Sequence, residues 1–120
     1  MEIPDLVDLI WLFEGEPTRE FEDLEWPVGL HSFRLTRGTQ AVLFSLDPTA
    51  GEAYISLCAC GQEHTYLGRL RRLERLSVDR GPSDYEGLRL WLPGDTTEPL
   101  ALQTKPRIRL AWDVKPVGAW

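Results

Sequence analysis

Two cysteines, two histidines and one methionine in 120 residues leave little material for a disulfide scaffold or a metal cluster. A basic excess is missing too: thirteen Lys and Arg face nineteen Asp and Glu, a formal charge of −6. Nucleic-acid binders draw much of their affinity from displacing counterions with a basic surface, so this balance argues against nucleic acid as a partner. No apolar run approaches the roughly 20 residues needed to cross a membrane. The opening residues carry Glu2, Asp5 and Asp8 where a secretory signal would be positive. With so few cysteines, the expected location is a reducing cytoplasm. G-x-S-x-G, P-loop and dinucleotide fingerprints are all lacking, which weighs against an enzyme, and no cofactor is expected.

What is present suits a globular chain. A hydrophobic share of 42% with 27% charged residues supports a core and excludes wholesale disorder. The length leaves room for a single domain spanning residues 1–120. Residues 3–14 read as a helix. Pro4 suits a first turn, Asp5 and Asp8 favour the positive helix end, and Gly15 followed by Pro17 marks a stop. Ile3, Leu6, Val7, Ile10 and Phe13 fall on one apolar stripe. Residues 15–28 form an acidic connecting segment, with Phe21, Leu24 and Trp26 as anchors.

From residue 29 to 115 the period becomes two. Phe33 and Leu35 alternate with Ser32, Arg34 and Thr36, Val42, Phe44 and Leu46 with Leu43, Ser45 and Asp47, and Ile55, Leu57 and Ala59 with Tyr54, Ser56, Cys58 and Cys60. Leu88, Leu90 and Leu92 continue the pattern, as do Ile108, Leu110, Trp112 and Val114. Such alternation marks half-buried antiparallel strands, and the short Gly- and Pro-bearing connections imply a meander. The expected fold is mainly β, α+β at the margin. It comprises seven or eight antiparallel strands in a curved, barrel-like or sandwich-like sheet, with one N-terminal helix. Leu67, Leu70, Leu73 and Leu76 recur every three residues and fit a helix, a bulged strand or a turn between strands; strand is the reading adopted.

Three constellations could carry function. Cys58, Cys60 and His64 lie within seven residues, and with His31 they would complete a tetrahedral zinc shell. Geometry argues against it. A two-residue turn at Gly61-Gln62 would set Ala59 opposite His64, and opposed residues share a face, so His64 would point away from both thiols. His31 shares a strand face with Phe33 and Leu35, as a satisfied core-edge histidine would. A small-molecule or enzymatic barrel would use Trp91, Tyr54 and the cysteine strand.

The third constellation is electrostatic. Residues 1–28 hold nine acids and one base, whereas residues 29–120 hold twelve bases and ten acids. Either the acidic segment lies on the arginines of its own sheet, or it faces outward and steers a basic partner. The second alternative makes Glu14, Glu16, Glu20, Glu22, Asp23 and Glu25 the contact residues, with Phe21 and Trp26 as apolar anchors. In overall character (small, acidic, sheet-rich, without a catalytic motif) the chain resembles the immunity proteins that bacteria keep against their own secreted toxins. No single motif carries that resemblance. It implies a non-catalytic binding protein with a basic protein partner.

Overall fold

The two-residue alternation is realised as antiparallel strands on two meandering sheets. The computed structural model describes residues 2–19, 23–81, 84–93 and 97–114. Helix α1 (Leu6–Phe13) precedes nine strands among the described residues: β1 (Thr18–Arg19), β2 (His31–Arg37), β3 (Gln40–Asp47), β4 (Glu52–Ala59), β5 (Gln62–Leu70), β6 (Arg75–Arg80), β7 (Glu86–Trp91), β8 (Thr97–Lys105) and β9 (Arg109–Val114). One sheet runs β1-β2-β3-β4-β5 and the other β6-β7-β8-β9, so within each sheet the strands pair in sequence order, and the chain passes from one sheet to the other between β5 and β6. Short connections and an apolar inward face leave little alternative to this order.

The inward residues of both sheets form one buried cluster. Phe33, Val42, Phe44, Leu46 and Ile55 come from the first sheet, and Leu76, Leu88, Leu90, Leu100 and Leu102 from the second. Full burial of each such side chain stabilises the fold by about 1.5–3 kcal/mol. β8 adds a strand that the pattern reading passed over. Its buried Leu100, Leu102 and Thr104 alternate cleanly, but Pro99 masks the signal. Pro99 falls in the irregular stretch between Thr97 and Leu100, where a missing N–H is tolerated.

Helix α1 is shorter than residues 3–14. Ile3 precedes Pro4, and a residue before proline is pushed out of the helical region. Glu2 instead runs extended beside β6, its N–H donating to the Glu74 carbonyl at 3.2 Å and its carbonyl accepting from Leu76 N–H at 2.8 Å. Asp5 then takes the N-cap position, and Glu14 ends the helix in the left-handed conformation (φ 59°). The buried face also differs from the expected stripe: Leu9, Leu12 and Phe13 are buried, while Val7 is 67% exposed. At 100° per residue Val7 lies nearly opposite the Leu9–Phe13 face, so both cannot be covered. Phe13 carries the docking, its ring stacked 5.2 Å from Phe33 and 5.7 Å from Phe44.

The leucines at 67, 70, 73 and 76 resolve as strand, turn and strand. Ile55 pairs with Leu67 and Ala53 with Leu70, so β5 spends three residues where β4 spends two. That bulge keeps both leucines on the core side despite their spacing. Leu73 sits in the intervening turn, its N–H bonded to the Gly51 carbonyl at 3.0 Å, and Leu76 opens the buried positions of β6.

Candidate functional site

The β4–β5 turn is centred on Cys60-Gly61 rather than on Gly61-Gln62, which corrects the pairing around the cysteines. Both central residues have positive φ, 53° and 81°, and a turn of this hand favours glycine in second place. Ala59 therefore pairs with Gln62 and Cys58 with Glu63, while a second bulge leaves His64 without a cross-strand partner. His64 is exposed, with its Nδ1 2.9 Å from the Thr65 hydroxyl. His31 is buried on β2 beside Trp26. Among the described residues no group of three or more His, Cys, Asp or Glu is arranged to hold a metal ion. Cys58 and His64 do border one shallow cleft of about 310 Å³ between β3–β5 and Ile108–Leu110, whereas Cys60 is exposed in its turn.

The barrel candidates are also separated. Tyr54 and Trp91 belong to different sheets and alternate with the buried residues of their strands. Trp91 donates its indole N–H to the Ser77 hydroxyl at 3.2 Å and carries the Arg75 guanidinium 5.3 Å from its ring centre. Tyr54 donates to Glu52 at 3.1 Å, and Arg69 donates to the same carboxylate at 2.9 Å. The Arg69 hydrogen bond holds the Glu52 carboxyl below its ordinary 4.5. Partial desolvation, then the bond to Glu52, raises the Tyr54 phenol. The Trp112 side chain, expected on the inward face of its strand, lies outside the described side chains.

The acidic N-terminal region divides into two parts. Near the helix, its acids meet bases of the sheets: Glu14 bonds Arg37, Asp8 lies 3.9 Å from Arg80, and Glu2 lies 3.8 Å from Arg75. Glu14 thus pairs with its own molecule while its side chain stays 45% exposed, because the left-handed helix end and the β2 terminus bring the two side chains together. Beyond the helix the pattern reverses. Glu16, Asp23 and Glu25 are exposed, and among the described residues none has a basic group within ion-pair distance. Glu20, Phe21 and Glu22 lie outside the described residues. Trp26 is half-buried, packed edge-on against His31 at 5.2 Å and Phe33 at 6.3 Å.

A cleft of about 350 Å³ opens where this segment meets the helix. Leu6, Ile10, Pro17 and Trp26 supply apolar wall, Glu16 and Glu25 supply carboxylates, and Arg19 and His31 complete the lining. The Trp26-Pro27 peptide is cis, and Val28 N–H bonds the Glu25 carbonyl at 2.8 Å, closing the turn that sets Glu25 and Trp26 at the cleft. Around the helix from this cleft, Val7 and then Trp11 continue an exposed apolar strip, with Arg80 stacked 3.9 Å from the Trp11 ring centre. Sequence reasoning missed this strip because it placed Val7 on the apolar stripe; the two helical steps, about 200°, separating Val7 from Leu9 were the available signal.

The fold and surface define a mainly β protein of two antiparallel meanders capped by one helix. No family model matches the chain, and no curated protein matches it in sequence. Its fold is similar to that of a chain in a contact-dependent growth inhibition toxin–immunity protein complex from Klebsiella pneumoniae 342. The likeness has a TM-score of 0.77 at 13% identity and covers 93% of this chain and 95% of that one. Among the described residues no helix is long and apolar enough to cross a membrane.

Proposed function

We propose that the chain is a non-catalytic, immunity-type binding protein whose acidic segment contacts a basic protein partner. The observation that carries this reading is the set of exposed carboxylates at Glu16, Asp23 and Glu25, which face no base among the described residues. Three like charges left outward add self-repulsion to the folded chain, a cost that a complementary partner offsets. The fold it shares with a chain of a toxin–immunity complex supports a protein rather than a small molecule as partner. Glu14, shared with Arg37, contributes less than the other three, and Trp26 braces the segment from behind.

Affinity capture from the native host with the wild-type chain and with a Glu16→Lys/Asp23→Lys/Glu25→Lys variant tests the reading. A basic protein retained by the first and lost by the second is the expected result. Equal retention by both, at matched folding by circular dichroism, contradicts it.

A further inference from the structure

We infer that the cleft between α1 and the Glu25–His31 turn is a receptor for one arginine side chain of the basic partner, an inference that rests on the proposed function and makes it specific. His31 is 1% exposed, and its Nε2 lies 2.8 Å from the Val28 carbonyl. A carbonyl only accepts, so Nε2 is the donor, and Nδ1 of the neutral ring is left as an acceptor. That Nδ1 has no hydrogen-bond partner among the described residues, although the ring borders the cleft. A buried polar atom without a partner destabilises a fold, so the site lacks a donor.

The rest of the lining asks for the same thing. Glu16 and Glu25 add carboxylate acceptors, and neither forms an ion pair among the described residues. Arg19 on the same rim keeps its charge while one N–H goes to the Leu24 carbonyl at 3.4 Å, so two carboxylates face one guanidinium and the lining is negative. Leu6, Ile10 and Pro17 offer apolar wall for an alkyl stem, and Trp26 adds an aromatic ring to the lining beside which a cation is favoured. A group with several N–H donors in one plane, a positive charge and an alkyl stem matches all of these; guanidinium fits better than ammonium because its donors are forked and its plane stacks on indole.

The test needs no partner protein, so its failure is distinguishable from failure of the charge-steering proposal. Nα-acetyl-arginine methylamide is titrated into the ¹⁵N-labelled full chain, with the lysine and citrulline analogues as controls. The expected result is a saturable shift of the Trp26 indole N–H and an upfield move of the His31 Nδ1 resonance with arginine alone. Glu16→Gln/Glu25→Gln, two surface changes that leave the core intact, weakens that binding about tenfold, the equivalent of two partly exposed ion pairs. Absence of a saturable shift, or equal binding of lysine or citrulline, overturns the inference.

Discussion

Phe13→Ala tests the packing that holds helix α1, and with it one wall of the cleft, against the sheet. The ring is 1% exposed and stacked on both Phe33 and Phe44. Truncating a buried phenylalanine costs about 3–5 kcal/mol, combining lost transfer energy with the cavity left behind. The two aromatic contacts, worth about 0.5–1.5 kcal/mol each beyond their area, place this site toward the upper end. Against a typical total of about 5–15 kcal/mol, such a loss removes a large fraction of the stability. In equilibrium urea unfolding the midpoint falls by roughly 2 M. Val7→Ala is the internal control: at 67% exposure it changes stability by less than about 0.5 kcal/mol. Comparable losses from the two variants, or a Phe13→Ala change below about 1 kcal/mol, would refute the assigned helix face.

Three other substitutions probe particular contacts. Gly87→Ala would place a Cβ 2.8 Å from the Leu102 carbonyl and 3.3 Å from Gln103 Cα, both backbone atoms, so it destabilises by about 1–3 kcal/mol in the same urea assay. Cys60→Asn puts a residue tolerant of positive φ at the first turn position and raises the melting temperature slightly, by the equivalent of up to about 1 kcal/mol. Glu52→Gln removes the carboxylate whose folded-state proton affinity Arg69 lowers. The folded carboxyl binds its proton less readily than the unfolded one, so the wild-type advantage is fully present above pH 4.5. It is lost as the pH falls through the lowered folded value. Urea unfolding of both proteins from pH 7 to 3 shows this convergence, and a difference that grows on acidification would disprove the assignment.

The strands were readable because a half-buried strand imposes its period directly on the residues: Phe33 and Leu35, or Val42, Phe44 and Leu46, could lie inward in one phase only. Interruptions of that period were harder. Leu67 and Leu70 share a face through a bulge, and Pro99 disguised β8, since each depends on what the partner strand does. The β4–β5 turn was expected at Gly61-Gln62; that it falls on Cys60-Gly61, with glycine in second place, depends on the register of the pair. The candidate site was legible only as composition. That Glu14 turns to Arg37 while Glu16 and Glu25 do not depends on where the helix ends relative to β2, a long-range relation absent from local spacing. His31 was legible as inward-facing. Its orphaned Nδ1 was not, because satisfaction depends on the Val28 carbonyl and on nothing else arriving.

The rate at which the captured partner associates, measured by stopped-flow fluorescence against ionic strength, tests the proposal most directly. Outward carboxylates at 16, 23 and 25 predict a wild-type rate that falls steeply with salt. Glu16→Lys/Asp23→Lys/Glu25→Lys should associate about tenfold or more slowly at low salt, with a flattened dependence. Equal rates and equal salt slopes for the two proteins would contradict it.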